Sequence, residues 1–186
     1  MLTPHPDLAR LEDSLLVLID CQERLWKVIH DGPALEQRLG KLLQGARSLG
    51  VPVIVTEQDP AKLGATLSTL LAAAGECPRI AKSSFACGSE PAFNEALRAT
   101  ERGTVFLVGV EAHICVVQTA LDLLARGFKV QIVGECTGSR DPANRAAGLQ
   151  RLSDAGAVIT VTESLLFEWM SSTQHPAFRT IRDLIK

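Results

Sequence analysis

Residues 104–127 constrain the fold more than any other part of the chain, because they combine the patterns of a buried strand, a turn and a helix. They open with the apolar run VFLV (105–108), bounded by glycines, which is typical of a parallel strand buried on both faces. From Val117 onward, apolar residues recur at i, i+3, i+4, i+7 and i+8, which predicts an amphipathic helix that ends at Gly127. A strand followed closely by a helix predicts one unit of a parallel α/β sheet.

Cys115 lies in the turn between this strand and helix, at or just inside the expected helix start. A thiol there faces unpaired backbone N–H groups and the positive end of the helix dipole, so its pKa is expected to fall below the free value of ~8.5. The same N–H groups could hold an oxyanion. This stretch alone leaves two interpretations open, a nucleophile or a half-buried structural cysteine, since free Cys is among the most buried residue types.

Apolar runs elsewhere predict the remaining strands, and helical patterns separate them. Strong strand candidates lie at residues 15–19, 51–56, 129–133 and 157–161, and residues 79–86 resemble a brief extended piece that runs into a turn. The helical patterns are residues 35–49, a helix from Ser89 as N-cap to about Thr100, a helix capped by Asp141 that reaches about Ala155, and two segments in the C-terminal tail. Residues 57–78 predict a loop that could contain a short helix at residues 66–74.

This alternation predicts a three-layer, doubly wound, Rossmann-like α/β fold. Its sheet should be mostly parallel with five or six strands and helices on both faces, and residues 1–186 should form a single domain. In such a sheet the ligand lies at the carboxyl ends of the strands, where the strand order reverses. Asp20 ends the first strand and Cys115 follows the central one, so we expect them to be neighbours.

Composition and charge exclude several classes of partner. The formal net charge is −2, aromatic residues make up 4% and there is no Tyr, so neither nucleic acid nor a membrane is expected as a partner. No apolar run approaches the ~18 residues of a membrane span, and the N-terminus lacks the apolar core of a signal peptide. Five dispersed cysteines without CxxC spacing favour a reducing compartment, so we expect a cytoplasmic protein.

A thiol nucleophile needs a base that takes its proton and a cation that organises the charges around it. Asp20 is the candidate base, although a polar residue that merely ends a strand is the simpler interpretation of Asp20 alone. Lys82 follows a short apolar pair and is the candidate cation. Taken alone it would be an ordinary surface lysine, since lysine is nearly always exposed.

The segments around these three residues match a known set of motifs. LLVLIDCQ, RIAKSSF and VGVEAHICVVQTALDLLARG resemble the Asp, Lys and Cys motifs of the isochorismatase-like cysteine hydrolases. That superfamily includes nicotinamidases, N-carbamoylsarcosine amidohydrolases and ureidoacrylate amidohydrolases. The resemblance runs nearly from Leu15 to the C-terminus. It is closest to the isochorismatase domain-containing proteins, through Thr56-Glu57-Gln58, Glu111-Ala112 and the ending HPAFRTIRDLIK.

The resemblance implies an isochorismatase-like fold in which Cys115 is the nucleophile, Asp20 the general base and Lys82 the charge-stabilising partner. It also implies a cis peptide bond between Val110 and Glu111, with the N–H groups of Glu111 and Cys115 forming the oxyanion hole. The implied reaction is hydrolysis of an amide or carbamoyl C–N bond of a small-molecule substrate, through a thioester acyl-enzyme. Relatives usually form dimers or larger assemblies, so a homo-oligomer is expected.

Six further residues are expected by position to line the substrate pocket, and each could equally be ordinary packing or surface. They are Leu25, Trp26, Glu57, Gln58, Phe85 and His113. His113 stands where many family members have Asp, and it could orient the substrate or simply cover the turn.

The sequence departs from nicotinamidases at their metal site. Those enzymes carry an Asp/His cluster after the second strand, whereas the corresponding loop here, EQDPAKLG, contains no histidine. The four histidines of the chain are scattered, without the spacing of metal ligands. We therefore expect no metal and no other cofactor, and nicotinamidase activity is not favoured.

Three other interpretations stay open. The chain could be a catalytically silent protein that uses this fold for interactions. It could be a flavodoxin-type ligand-binding domain, although DCQERLW after the first strand is not a Gly-rich phosphate loop. It could also be a redox sensor that acts through a reactive Cys115.

Overall fold

Six parallel strands form one sheet within residues 5–186, the part of the chain that the computed structural model describes. The strands are β1 (Ser14–Ile19), β2 (Val53–Gln58), β3 (Arg79–Lys82), β4 (Thr104–Val110), β5 (Lys129–Gly138) and β6 (Val158–Thr160). Their order across the sheet is β3-β2-β1-β4-β5-β6, and each neighbouring pair is parallel. The predicted doubly wound sheet is therefore confirmed.

Helices cover both faces of this sheet. They are α1 (Glu23–Trp26), α2 (Gly32–Leu49), α3 (Pro60–Leu63), α4 (Ser68–Ala74), α5 (Pro91–Ala99), α6 (Val117–Ala125), α7 (Pro142–Asp154), α8 (Thr162–Met170) and α9 (Phe178–Ile185). Buried residues of α2, α4, α8 and α9 form one core cluster, and those of α5, α6 and α7 form a second cluster on the opposite face. Whether the chain is a single domain stays a prediction, and residues 1–4 of that expected domain lie outside the described part.

The two central strands are apolar throughout because both of their faces are covered. Every residue of β4 is buried, and alternate side chains enter opposite clusters. Phe106 and Val108 pack with α2, whereas Val105 and Leu107 pack with α6. This arrangement explains why β4 reads as a continuous apolar run rather than an alternating one.

Several element boundaries differ from those predicted. β2 runs to Gln58, and β5 continues to Gly138 with a register shift opposite Leu107 and Gly109. The predicted N-cap Ser89 is wrong, because it belongs to a short 3₁₀ turn and α5 begins after Glu90. The predicted cap Asp141 is confirmed, since its Oδ1 accepts a 2.8 Å hydrogen bond from the Ala143 N–H.

The strand order reverses between β1 and β4. Ile19 pairs with Gly109 at the carboxyl ends of these strands, which brings the residues that follow them together. Gly109 has φ +106°, and a Cβ there would lie 2.2 Å from the Ile19 carbonyl oxygen, so only glycine allows this close approach. Within residues 5–186 no helix combines the length and the apolar character needed to cross a membrane.

Candidate active site

Asp20 lies immediately after β1, with its carboxylate held at both oxygens. Its backbone is left-handed at φ +54°, and its N–H donates to the Thr56 carbonyl at 3.1 Å. The Thr56 hydroxyl donates to Oδ1 at 2.8 Å, and the Lys82 ammonium donates to Oδ2 at 2.6 Å. The Asp20 side chain has no exposed surface, so the hydrogen bonds from Thr56 and Lys82 replace those that water would make to the carboxylate.

Lys82 is buried, which rules out its interpretation as an ordinary surface lysine. Its side chain has no exposed surface, and its Nζ donates to Asp20 Oδ2 at 2.6 Å and to Gln58 Oε1 at 2.7 Å. Burial alone would lower the pKa of Lys82, but the negative charge of Asp20 and its hydrogen bond to the ammonium outweigh burial and raise the pKa. Lys82 therefore stays a cation at neutral pH.

Cys115 lies in a π-helical turn, Ala112–Val116, that precedes α6. The Glu111 carbonyl accepts hydrogen bonds from the N–H groups of Ile114 and Val116, at 3.0 and 3.3 Å, which closes this turn. Cys115 is 7% exposed. Asp20 and the turn that carries Cys115 follow the paired ends of β1 and β4, where Ile19 lies opposite Gly109, so the expected approach of Asp20 and Cys115 at the switch point is confirmed. The charges of Asp20 and Lys82 both act on the Cys115 thiol.

The expected lowering of the Cys115 pKa is wrong. Burial, together with the negative charge of Asp20, raises the pKa of this thiol to about 12, and the Lys82 charge only partly opposes them. The regular helix α6 begins at Val117, beyond the cysteine. At neutral pH the thiol is therefore protonated, and any nucleophilic role requires that its proton be removed first.

The loop that follows β5 contacts the turn beside Cys115 and stabilises it through Glu111. The peptide bond between Val110 and Glu111 is cis, as the resemblance implied. The buried Glu111 carboxylate accepts a 2.9 Å hydrogen bond from the Arg140 backbone N–H and pairs with its Nε at 3.1 Å. The predicted pocket residue His113 is half-buried, with its Nδ1 3.1 Å from the Ser139 hydroxyl.

Gln58 and Phe85 approach Lys82, whereas Glu57 points elsewhere. Gln58 accepts from the Lys82 ammonium at 2.7 Å through Oε1. The Phe85 carbonyl lies 3.5 Å from the same Nζ, while the Phe85 residue is 53% exposed. Glu57 Oε1 instead accepts from the backbone N–H and the hydroxyl of Thr66, both at 2.8 Å. Contact of these residues with substrate stays a prediction.

Leu25 and Trp26 pack on the α2 side of the sheet. Both are half-buried and contact the core cluster there. The Trp26 Nε1 atom is buried and has no hydrogen-bond partner within residues 5–186. It lies beside Gly32, where a Cβ would be 3.3 Å from Nε1. A role for either residue in the pocket also stays a prediction.

Sequence reasoning missed Thr56 and Gln22 as parts of this site. Gln22 is fully buried, and its Nε2 donates to the carbonyls of Gln58 and Gly64 at 3.0 and 2.7 Å. Its Oε1 accepts from the Gln58 N–H at 2.7 Å, so the side chain joins the loop after β1 to the end of β2. The available signal for Gln22 was a polar residue two positions after a strand-end aspartate.

Iodoacetamide near neutral pH is expected to label Cys77 before Cys115. Cys77 is half-buried, whereas Cys115 is 7% exposed with its pKa raised to about 12. Alkylation follows the thiolate fraction and access. Timed labelling with peptide mapping measures the order, and unfolded protein should label at all five cysteines at similar rates. Faster labelling of Cys115 than of Cys77 would contradict this account of a buried, protonated Cys115 thiol.

Two other features bear on the location of the site. A cavity of about 760 Å³ is lined by Leu8, Phe167 and Trp169 among others, at the amino end of β1, whereas ligands of doubly wound sheets bind at the carboxyl end. Within residues 5–186 no group of three or more His, Cys, Asp or Glu side chains could hold a metal ion. The expected absence of a metal stays a prediction.

Comparisons with known proteins identify relatives over most of the chain. Isochorismatase domain-containing protein 1 of Danio rerio is 39% identical over 175 residues, which cover 93% of this chain and 61% of that protein. Isochorismatase domain-containing protein 2 of Xenopus laevis is 33% identical over 172 residues, covering 92% and 83%. The chain covers 61% of the length of the Danio rerio protein and 51% of the length of isochorismatase domain-containing protein 1 of Salmo salar. It therefore spans about half to three fifths of these two relatives.

Solved structures share the fold. The MAR1 ribonuclease of Caenorhabditis elegans superposes with a TM-score of 0.90 at 34% identity, covering 95% of this chain and 91% of that chain. The YcaC gene product of Escherichia coli, described as an octameric hydrolase of unknown specificity, has a TM-score of 0.87 at 22% identity, covering 98% and 97%. The family model of the isochorismatase domain matches residues 14–164. The chain therefore belongs to the isochorismatase family.

Proposed function

We propose that the chain is a cysteine hydrolase that cleaves an amide or carbamoyl C–N bond of a small molecule through Cys115. One observation carries the proposal. The carboxylate of Asp20, the ammonium group of Lys82 and the thiol of Cys115 lie together in a buried site at the carboxyl end of the sheet. A buried base beside a thiol is the arrangement that activates a cysteine nucleophile.

In the proposed reaction, Asp20 takes the proton of the Cys115 thiol while the sulfur attacks the carbonyl carbon. The N–H groups of Glu111 and Cys115 hold the oxyanion that forms. The C–N bond then breaks, and Asp20 returns the proton to the leaving nitrogen, which leaves a thioester on Cys115. Asp20 next takes a proton from water, which attacks the thioester, and the C–S bond breaks as the thiol is reprotonated.

The raised pKa of the thiol sets the timing of the first proton transfer. With a pKa of about 12, ionising the thiol to solvent at pH 7 costs about 7 kcal/mol. A free thiolate would therefore be rare, and transfer to Asp20 has to accompany the attack. Lys82 remains a cation throughout and keeps the Asp20 carboxylate in place. The same raised pKa disfavours redox sensing, which depends on thiolate character.

The proposal includes the remaining expectations about partners and location. The chain would act in the cytoplasm as a homo-oligomer, which the octameric YcaC gene product of Escherichia coli supports. Size-exclusion chromatography with light scattering gives the mass of the assembly. No cofactor is required in the proposed reaction, so dialysis against a chelator should leave turnover unchanged.

Ribonuclease activity is the second candidate, because the related Caenorhabditis elegans protein carries that name at 34% identity. An interaction protein without activity is the third.

A screen of wild type against Cys115→Ala separates these candidates. Small primary amides, ureides and carbamoyl acids are assayed for release of ammonia or amine, and a single-stranded RNA is assayed for cleavage. We expect turnover of at least one small C–N compound by wild type only. Cysteine-independent cleavage of the RNA, with no turnover of the small compounds, would replace the proposal by the second candidate.

A further inference from the structure

Two side chains at the carboxyl end of β2 hold the two charged groups of the site. The Thr56 hydroxyl donates to Asp20 Oδ1 at 2.8 Å, and Gln58 Oε1 accepts from the Lys82 ammonium at 2.7 Å. Residues two apart on a strand share one face, so both side chains reach the same side of β2. Glu57, between them, points the other way and binds Thr66.

Both side chains are themselves fixed by the protein. Thr56 is fully buried, with the Cys87 sulfur 3.9 Å from its hydroxyl oxygen. The Gln58 amide nitrogen donates to the Ser83 carbonyl at 2.8 Å, so both polar atoms of this side chain are engaged. The Gln58 N–H is held by Gln22 Oε1 at 2.7 Å. Gln58 is therefore better placed to hold Lys82 than to bind a substrate.

The Asp20 carboxylate needs a second donor to have one orientation. The terminal torsion of an aspartate is broad, so a carboxylate held at one oxygen can pivot about that contact. Lys82 holds only Oδ2, and the Thr56 hydroxyl on Oδ1 fixes the plane of the group. Small misplacements of a catalytic group are costly, since about 1 Å can lower a rate by about a hundredfold.

We propose that Thr56 and Gln58 are positioning residues, with Thr56 orienting the Asp20 carboxylate toward the Cys115 thiol and Gln58 holding Lys82 against that carboxylate. The inference rests on the proposed function and deepens it, because it names the residues that hold the base and the cation in place. Both side chains act through Asp20 and Lys82 rather than on the substrate.

Labelling of Cys115 by iodoacetamide tests the role of Thr56 without a known substrate. Thr56→Val removes the hydroxyl and keeps the branched shape that suits a strand. Because the buried Cys115 thiol is protonated at rest, its alkylation is expected to need Asp20 as the proton acceptor while the C–S bond forms. We therefore expect Cys115 in the full-length variant to label at about a tenth of the wild-type rate or below, which corresponds to the loss of one hydrogen bond to a charged group. Labelling of Cys77 should be unchanged, and Thr56→Ser should restore the rate at Cys115.

Thr104→Val is the matched control, because Thr104 donates to Asp13 Oδ2 at 2.7 Å at the amino end of the sheet. It breaks a similar Thr–Asp hydrogen bond far from Cys115 and should leave labelling of Cys115 unchanged. Thr56→Ala removes the same hydroxyl without an added methyl group, and it replaces Thr56→Val if that variant does not fold.

Asp20→Asn, measured in parallel, separates the failure of this inference from the failure of the proposed function. If Asp20→Asn slows labelling of Cys115 but Thr56→Val does not, Thr56 has no positioning role and the proposed function stands. The inference also fails if Thr56→Ser does not restore the rate or if Thr104→Val has an equal effect. If Asp20→Asn has no effect, or speeds labelling as the loss of its negative charge alone would, Asp20 is not the base and both proposals fall.

Discussion

Replacing Cys115 by alanine is expected to lower the turnover of any accepted amide by at least about a thousandfold. Water would have to attack the carbonyl without the thiol that Asp20 and Lys82 surround. Residual activity would come only from binding and from the oxyanion donors. Initial rates of product release by purified wild type and Cys115→Ala, at equal protein concentration, measure the effect.

Cys136→Ala is the matched control for this prediction. Cys136 is fully buried, and burial raises its pKa to about 12, as for Cys115. Its sulfur, however, lies 3.3 Å from the Thr162 hydroxyl rather than beside Asp20 and Lys82. We expect Cys136→Ala to change stability while turnover per folded molecule stays near wild type. An equal loss of turnover in the two variants would indicate that removing any buried cysteine impairs the protein, and it would contradict the assignment of Cys115 as the nucleophile.

Lys82→Met is expected to lower the free energy of unfolding by about 3–5 kcal/mol. The ion pair between Lys82 and Asp20 is 2.6 Å long, and both side chains lack exposed surface. Removing the ammonium leaves an unpaired carboxylate in the interior. Urea unfolding curves of wild type and Lys82→Met at one pH give the difference.

An exposed ion pair supplies the control. Lys62 lies 2.7 Å from Asp59 with its own side chain 80% exposed, so Lys62→Met should unfold with nearly the wild-type midpoint. The double variant Asp20→Asn with Lys82→Met should recover much of the lost stability, because no unpaired charge remains. A midpoint for Lys82→Met like that of Lys62→Met would contradict the account of a buried pair.

The sheet and the meeting of Asp20 with Cys115 could be predicted because they follow from chain-local patterns. β1 and β4 are continuous apolar runs, and the switch-point rule brings together the residues that follow them. The motif around Lys82 predicted that it partners a charged group, although lysine alone suggests the surface, and its catalytic role stays a prediction. Burial of that lysine depends on Asp20, a residue far away in the sequence.

The parts that could not be predicted depend on partners distant along the chain. The direction of the Cys115 pKa shift depends on burial by surrounding elements, and Cys115 lies in a π-helical turn, two residues before the regular helix α6 begins. Glu57 accepts from the N–H of Thr66, a residue of the following loop that its own strand pattern does not indicate, and its contact with substrate stays a prediction. In the sequence Thr56 looks like an ordinary strand residue, and only the structure shows that its hydroxyl donates a hydrogen bond to Asp20.

The most direct test of the central claim is the mass of the Cys115 peptide after acid quenching during turnover of an amide that the protein accepts. The account predicts that the acyl part of the substrate is attached to Cys115, and that this peptide mass is absent from Asp20→Asn quenched at the same time. Steady turnover of the amide with an unmodified Cys115 peptide, or with the acyl group on another residue, would contradict it.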